Sequence, residues 1–305
     1  MSYNQQPGRA GLPKRFSCLV IAGVLLVLLV GAVLLLGYLR SRTAPTAGPA
    51  VPTGGPTRAR VPPDPNLALG DPSGATADAS DRDNYLLVKP QYVLSYSDGR
   101  GGPNWVSWSL RASDIGDVGR QNNFHPESAL PRGFKRVTPD DYTGSGFDRG
   151  HVCNSKDRTA TAADNSETFS MANMLPQTPD LNRHVWEGLE SYSRTLAQQG
   201  AELYIVAGGY GSAGQIGRAN KVTVPTNCWK IVVVFPGGQM DLTRVDAATR
   251  VIAVDMPNVQ GIALDPWAKY VTTVADIEAK TGYRFFTELP EDVQRALKSK
   301  RDAGR

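Results

Sequence analysis

The sequence predicts an α+β domain with a central antiparallel sheet, preceded by one transmembrane helix and a disordered linker. Strand-like and helix-like segments are mixed over residues 85–290 without a regular β-α-β alternation, which favours an antiparallel sheet. The composition of 41% hydrophobic, 20% charged and 8% aromatic residues is typical of a globular protein. It excludes a wholly disordered chain and a membrane protein with several spans.

The transmembrane prediction depends on a run of 24 residues, 16–39, that carries no charge. At about 1.5 Å per residue such a helix is long enough to cross a hydrocarbon core of about 30 Å. We therefore expect a cytoplasmic tail at 1–15 and a membrane anchor at 16–39. The alternative is a signal peptide that is cleaved to release a secreted protein. Its apolar region is usually shorter, and the first Ala-x-Ala motifs downstream, within 75–79, lie far from the run.

Residues 40–84 are rich in Pro, Ala and Gly, with few apolar side chains. Such a segment is expected to remain a flexible linker, because it buries too little surface to offset the entropy of ordering. Basic residues flank the apolar run on both sides, so their count does not fix its orientation.

The charge of the folded part is close to neutral, since residues 85–305 carry 25 basic and 24 acidic side chains. Nucleic-acid binding would therefore need a local basic patch. Three cysteines are too few for a disulfide scaffold. Cys153 and Cys228 lie outside the apolar run and are left open as a disulfide or as two thiols.

Residue patterns predict the individual elements in chain order. Apolar–polar alternation and β-branched runs predict strands at 91–97, 105–110, 202–207, 221–224, 229–235 and 250–255. Residues 114–143 are loop-like. Leu181, Val185, Leu189, Tyr192 and Leu196 recur at helical spacing and predict an amphipathic helix that ends near Gly200. Short helices are expected at 274–280 and 291–300, and residues 291–305 form a C-terminal helix and tail.

Three polar blocks fall within residues 148–194. They are Asp148-Arg149-Gly150-His151, then Asn173-Met174-Leu175-Pro176-Gln177, then Asp180-Leu181-Asn182 with Glu190 and Arg194 further along the predicted helix. Helical spacing places Asn182, Trp186, Glu190 and Arg194 in one row beside the apolar face. A polar row at the border of a core favours a cleft.

These blocks, in this order and at this spacing, resemble the DNA/RNA non-specific endonucleases of the ββα-metal class. That group includes secreted bacterial sugar-non-specific nucleases and mitochondrial endonuclease G. The resemblance extends more thinly over 85–290, including Trp229-Lys230. It implies a ββα-metal nuclease domain that cleaves DNA and RNA to 5′-phosphate ends, with Mg²⁺ as cofactor and Mn²⁺ as an alternative.

The resemblance also implies roles for single residues. His151 takes the part of the general base, which suits an imidazole that can accept a proton from water. Asn182 resembles the direct Mg²⁺ ligand, and Glu190 the group that holds the metal through water; Mg²⁺ is often bound by few protein ligands. Asn173 resembles the amide that positions the site beside the histidine, and it is counted with Arg149 among the catalytic residues. Arg149 and Arg194 resemble the phosphate-contacting arginines of the family, and Arg120 resembles a further one upstream.

Each of these residues also has a purely structural interpretation. Asn182 could cap its helix, and Glu190 with Arg194 could form an exposed ion pair. His184 is expected on the surface. His151, Cys153 and His184 match no closed zinc pattern.

The leading hypothesis is a membrane-anchored, Mg²⁺-dependent, non-specific endonuclease. Its catalytic domain is placed outside the cytoplasm, because an anchor there keeps the activity away from the genome. The expected partners are DNA and RNA, and the membrane through 16–39; the sequence leaves open whether a protein inhibitor binds as well. The alternatives are a surface tether that binds DNA without cleaving it and a more selective phosphodiesterase. A tether could have lost His151 or Asn182, yet the sequence retains both.

Overall fold

A seven-stranded sheet in which all paired strands are antiparallel forms the centre of the domain in the computed structural model, which describes residues 64–235 and 240–304. The strands in chain order are β1 Tyr85–Val88, β2 Val93–Ser97, β3 Gly102–Leu110, β4 Asp148–His151, β5 Met174–Gln177, β6 Glu202–Tyr210, β7 Gln215–Ile216, β8 Val222–Thr223, β9 Asn227–Phe235, β10 Arg250–Pro257 and β11 Val271–Thr272. The main sheet has the order β1-β2-β3-β6-β9-β10-β11, while β4 pairs with β5 and β7 with β8. The predicted α+β class and antiparallel sheet are confirmed.

Four α-helices in the described ranges surround this sheet. They are α1 Ala162–Glu167, α2 Glu187–Gln198, α3 Val274–Thr281 and α4 Glu291–Ser299. A π-helical turn, Leu181–Trp186, leads directly into α2. The helix predicted from the apolar spacing at 181–196 is thus confirmed in position, and it ends before Gly200, whose φ is +96°.

Both faces of the sheet are buried, each in its own apolar cluster. Along β9, Trp229, Ile231 and Val233 belong to one cluster, and Cys228 and Val232 belong to the other. The first cluster is covered by α3 and α4, and the second by α2. Strands covered on both faces lose the apolar–polar alternation and become continuous apolar runs. The strand predicted at 221–224 is shorter, because only β8 forms there, outside the main sheet.

The linker predicted over 40–84 is wrong from Asp64 onward. Asn66 is 2% exposed, its Oδ1 accepts from the backbone N–H of Ser109 at 3.0 Å, and Leu69 packs into the α3–α4 cluster. Trp105 donates its indole N–H to Ser73 at 2.8 Å. Hydrogen bonds to β3, together with the buried side chains of Ala68, Leu69 and Ala75, hold this segment to the domain.

The C-terminal helix is also part of the domain, so the boundary predicted at residue 290 is too early. Leu297 on α4 is fully buried, and Arg250 forms an ion pair with Asp302 at 2.8 Å. The predicted tail 1–15, membrane helix 16–39 and first part of the linker lie outside the described residues. In the described part of the chain, no helix has the length and apolar character needed to cross a membrane.

Candidate active site

The β4–β5 pair and the following helix bring most of the predicted site residues into one cleft. β4 and β5 pair in register, with Asp148 opposite Gln177 and His151 opposite Met174, and the chain then enters the π-helical turn and α2. The cleft has a volume of about 200 Å³ and is lined by Arg120, Arg149, His151, Asn154, Lys156, Asn182, Glu187 and Glu190. Five of the seven predicted site residues are in this lining; Asn173 and Arg194 are not.

His151 is a buried, neutral imidazole with one unoccupied ring nitrogen. The ring is 7% exposed and packs edge-on against Phe169 at 4.8 Å between centroids, with Phe124 at 5.6 Å. Burial, and next the charge of Arg120, lower its pKa to about 3, against the effect of a hydrogen bond to the Arg149 backbone. Nε2 has no hydrogen-bond partner in the described residues. A neutral ring with a free Nε2 can accept a proton from water.

Gly150 is required beside this histidine because Gln177 occupies the space where a side chain would begin. A Cβ at residue 150 would lie 2.1 Å from Oε1 and 2.6 Å from Cδ of Gln177, a side chain that is fully buried and would have to shift. The glycine of the first block and the glutamine of the second are thus explained by one contact between β4 and β5.

Replacing Gly150 by alanine should therefore destabilise the domain by about 1–3 kcal/mol, as overpacking does in a filled interior. It should also lower the nicking rate, because β4 must shift and His151 moves with it. Urea unfolding and plasmid nicking measure the two effects. Gly119→Ala is the matched control, since nothing lies within 4 Å of its added Cβ. An unfolding midpoint equal to that of the parent would contradict the packing argument.

Asn173 fixes the loop after His151 and does not itself reach the cleft. Its Oδ1 accepts from the backbone N–H of Cys153 at 2.9 Å, and its Nδ2 donates to the carbonyls of Cys153 at 2.9 Å and Thr168 at 2.8 Å. The residue is fully buried. All of its described hydrogen bonds are made to the backbone, which suits the positioning role that the family resemblance implies for it.

Asn182 presents its amide oxygen because Asp148 holds the amide nitrogen. Nδ2 of Asn182 donates to Asp148 Oδ2 at 3.0 Å, and Arg183 donates to the two oxygens of Asp148 at 2.7 and 2.6 Å. Burial alone would raise the pKa of Asp148, but the bonds from Arg183 and Asn182 lower it below its ordinary value. No described hydrogen bond occupies Oδ1 of Asn182, and the turn has no side-chain cap. The capping alternative is not what this side chain does.

Glu190 is a buried carboxylate held from two sides. It is 4% exposed, its Oε1 accepts from Lys230 Nζ at 3.2 Å, and its Oε2 accepts from the amide of Asn154. Burial raises the pKa of Glu190, although Lys230 and then Arg194 oppose the shift. The alternative of an exposed Glu190–Arg194 ion pair is wrong, since both residues are buried and the cation bonded to Glu190 is Lys230.

Arg194 is engaged elsewhere. Its guanidinium is in ion pairs with Asp157 and Glu187, both at 3.3 Å, and the residue is 8% exposed. Of the predicted row, Asn182 and Glu190 line the cleft, whereas Trp186 is 1% exposed in the core and Arg194 is not in the lining. The phosphate contact implied for Arg194 would require its ion pairs to open.

Arg120 and Arg149 supply the positive charge of the cleft. Arg120 donates to Ser155 Oγ at 2.6 Å and stacks over Phe169 at 4.7 Å; burial lowers its pKa, while Glu190 raises it. Arg149 donates to the Pro139 carbonyl at 3.2 Å, and its Nε has no partner in the described residues. Guanidinium groups with spare N–H donors suit a phosphate.

A short turn after His151 contacts the site residues and was not predicted. We call residues 154–157 the clamp turn. Asn154 bonds Glu190, Ser155 accepts from Arg120, Lys156 pairs with Glu187 at 3.2 Å, and Asp157 pairs with Arg194. Asn154 also caps the turn, accepting from Lys156 N at 2.7 Å. The sequence signal was Asn-Ser-Lys-Asp, a typical capped turn, but it gives no hint of these contacts.

The remaining polar candidates lie apart from the cleft lining. His184 is exposed, as predicted. Cys153 and Cys228 are both buried thiols, so the disulfide left open by the sequence is not formed; burial raises the pKa of each to about 12. In the described ranges, no three His, Cys, Asp or Glu side chains are grouped so that they could hold a metal ion.

Comparison with known proteins identifies the family. Residues 71–292 match the family model described as DNA/RNA non-specific endonuclease. The chain is 50% identical to a nuclease from Nostoc sp. over 237 residues, which cover 78% of this chain and 86% of that protein. It is 31% identical to human mitochondrial endonuclease G over 218 residues, covering 67% and 70% of the two chains.

Among solved structures, a chain from the crystal structure of an EndoG/EndoGI complex superposes with a TM-score of 0.63 at 25% identity, covering 74% of this chain and 91% of that one. The family model spans most of the domain described above, including all three polar blocks and the cleft they form. The chain therefore belongs to the DNA/RNA non-specific endonuclease family and is a nuclease.

Proposed function

We propose that this nuclease hydrolyses phosphodiester bonds of DNA and RNA with little sequence preference, with His151 as general base and 5′-phosphate ends as products. One observation carries the proposal: the free Nε2 of a neutral, buried His151 shares a cleft with Asn182 and two arginines. Arginine side chains bind phosphate and carry no sequence information there, whereas specificity requires contacts to base edges.

In the proposed reaction, Nε2 of His151 takes the proton of the attacking water. The hydrogen bond to the Arg149 backbone favours the protonated ring, and so helps to hold the proton once it has moved. Arg149 and Arg120 offset the negative charge that grows on the phosphate. Asn173 holds the loop that follows His151, and the clamp turn holds the carboxylate of Glu190.

The residues fit a hard divalent cation, Mg²⁺ or alternatively Mn²⁺. Asn182 offers an amide oxygen that Asp148 leaves free, and Glu190 offers a buried carboxylate in the same cleft. Such oxygens are the ligands that Mg²⁺ prefers, and it keeps several waters when few protein ligands are present. Asn182 would bind the ion directly and Glu190 through water. When bound, the ion would neutralise charge on the reacting phosphate.

The proposal is tested by digesting plasmid DNA, ribosomal RNA and short oligonucleotides with and without EDTA. We expect all three to be cut in Mg²⁺, none in EDTA, and the products to carry 5′-phosphates. Digestion of oligonucleotides alone would favour a selective phosphodiesterase. Retention of plasmid without any cleavage would favour the non-cleaving tether and would overturn the proposal.

The state of His151 gives a pH prediction. Its pKa of about 3 lies below the 6.5 of an ordinary histidine, so the ring should remain neutral from pH 8 to below pH 5. Since the unfolded chain would bind the proton first, the free energy of unfolding should fall as the pH drops from about 6.5 toward 3. Imidazole NMR measures the protonation state of the ring, and the His151 resonance is assigned by its loss in His151→Ala. A His151 resonance that titrates near 6.5 would contradict the burial argument.

We further propose that residues 16–39 anchor the enzyme in a membrane with the catalytic domain outside the cytoplasm. The support is the uncharged 24-residue run and the need to keep a nuclease from the genome. Cell fractionation tests the membrane anchor. Cleavage of the domain by protease added to intact cells tests its location outside the cytoplasm. A mature chain that lacks residues 1–39 and is released to the medium would instead show cleavage of a signal peptide.

We also propose that a protein inhibitor controls this nuclease. The support is the solved relative, a crystal structure of an EndoG/EndoGI complex that concerns the mechanism of EndoG inhibition. Proteins retained by immobilised His151→Ala enzyme would be added to the nicking assay of the parent. A retained protein that stops nicking at a stoichiometric ratio supports the proposal, whereas the absence of any inhibiting fraction counts against it.

A further inference from the structure

We infer that Lys230 is a positioning residue that holds Glu190 in its working orientation, an inference that rests on the proposed role of Glu190 beside the metal. Lys230 lies on β9, between β6 and β10 in the seven-stranded sheet, and is 1% exposed. Its Nζ is 3.2 Å from Oε1 of Glu190, which is the only ion-pair partner described for it.

The surroundings of Lys230 form a socket for its ammonium group. Nζ lies 4.1 Å from the ring centroid of Trp186 and 5.7 Å from that of Trp108. The faces of these indoles attract a cation and recover part of the hydration that is lost. The carboxylate of Glu190 supplies the opposite charge.

Stability alone does not explain a lysine at this position. Its neighbours Ile231 and Val232 are fully buried aliphatic residues, so the strand readily accommodates apolar side chains here. Replacing a buried ion pair by apolar residues of similar size is often neutral or stabilising, because both charges must be desolvated. A buried pair retained beside a catalytic cleft therefore indicates that the carboxylate is needed there.

Lys230 and Asn154 together fix both oxygens of Glu190. Lys230 binds Oε1 from the sheet below, and Asn154 donates to Oε2 from the clamp turn. Asn154 is itself fixed, since its Oδ1 accepts from Lys156 N. Because Asn154 follows His151 by three residues, this arrangement ties the orientation of Glu190 to the loop that carries the general base. Without Lys230, the carboxylate could rotate about its last bond and lose its relation to Asn182.

The test compares Lys230→Met with the parent in three measurements: kcat and KM for nicking, Mn²⁺ affinity by calorimetry without nucleic acid, and urea unfolding. We expect kcat and Mn²⁺ affinity each to fall about 10–100-fold, as for other groups that orient a metal site, with KM within about threefold because phosphate contacts are untouched. Lys221→Met is the matched control: it removes the Lys221–Asp141 pair, 3.1 Å long and outside the cleft lining, and should change neither kcat nor Mn²⁺ affinity.

A double-mutant cycle separates this inference from the proposed function. If Lys230 acts through Glu190, adding Lys230→Met to Glu190→Gln should lower kcat by less than about threefold further, because coupled residues are not additive. The inference alone is overturned if the losses of kcat in the two single variants multiply in the double variant. It is also overturned if Lys230→Met folds and keeps the parental kcat and Mn²⁺ affinity while Glu190→Gln is impaired. A fully active Glu190→Gln overturns the role of Glu190 and the inference with it.

Lys230→Arg decides the matter if the methionine variant does not fold. Arginine keeps the buried charge but places it differently, since its planar fork does not replace a compact ammonium. The expected result is a reduced kcat and a reduced Mn²⁺ affinity with a preserved urea midpoint. A folded arginine variant with parental values of both would overturn the inference.

Discussion

Replacing His151 by alanine should lower kcat for plasmid nicking by about 10²–10⁴-fold, the range that a positioned general base contributes. The physical reason is that Nε2 of this ring is the unoccupied basic nitrogen in the cleft lining, held neutral by burial. Binding of nucleic acid should persist, because Arg120 and Arg149 remain. The measurement is a single-turnover nicking rate in saturating Mg²⁺, with binding of the same DNA followed separately in EDTA.

His184→Ala is the matched control for this substitution. His184 lies on the turn before α2, two residues from Asn182, but it is exposed and is not among the cleft residues. It should nick at the parental rate. His151→Ala opens a cavity between Phe124 and Phe169, so its urea midpoint must be measured to show that the loss is not unfolding. A folded His151→Ala enzyme that cuts as fast as the parent would refute the assignment.

Elements with a regular residue period could be predicted from the sequence, and segments held by specific side-chain contacts could not. The spacing of Leu181, Val185 and Leu189 placed α2, because a helix that packs on a sheet repeats its apolar residues. Asn66 and Ser73 carry no period at all, yet their hydrogen bonds to β3 hold residues 64–84 in the domain. A segment rich in Pro and Gly has the composition of a linker whether or not such hydrogen bonds hold it to the domain.

The local register of the turn that leads into α2 also could not be predicted from the sequence. The polar row predicted for Asn182 through Arg194 assumes 3.6 residues per turn throughout. The π-helical turn Leu181–Trp186 places more residues in one turn than an α-helix does, so the register before α2 differs from the one assumed. Glu190 lies in the cleft lining, whereas Arg194, one α-helical turn further on, pairs with Asp157 and is not in that lining. The residue pattern does not predict a π-helical turn at this position.

The candidate site was predictable where its residues are close in sequence or belong to the three blocks. His151, Arg149 and Asn182 are in this class. Lys230 was not singled out, because it reaches Glu190 from 40 residues away in the chain. One signal was present: a lysine inside the apolar run of β9, where a charge is rarely buried without a partner. Such a residue predicts a buried acid opposite, although not which one.

Replacing Asn182 by alanine should raise the Mg²⁺ concentration for half-maximal nicking about 10–100-fold or more. Loss of a group that only supports a metal ligand typically costs this much, and Asn182 is proposed to be a ligand itself. The expectation follows from the amide geometry: Asp148 binds Nδ2, which leaves Oδ1 as the oxygen offered to the ion. The side chain makes no capping bond and loses only its part-buried hydrogen bond to Asp148, so the free energy of unfolding should fall by no more than about 1 kcal/mol in urea. A metal titration of nicking, together with calorimetry in the absence of DNA, measures the effect.

Asp148→Asn provides the graded comparison, because it keeps Oδ1 of Asn182 but removes the charge that Arg183 and Asn182 both contact. If orientation of the amide is what matters, this variant should need more Mg²⁺ than the parent and less than Asn182→Ala. The order of the three enzymes along the Mg²⁺ axis thus tests the geometry rather than the mere presence of the residue. Equal Mg²⁺ requirements for Asn182→Ala and the parent would show that the cation is held elsewhere in the cleft.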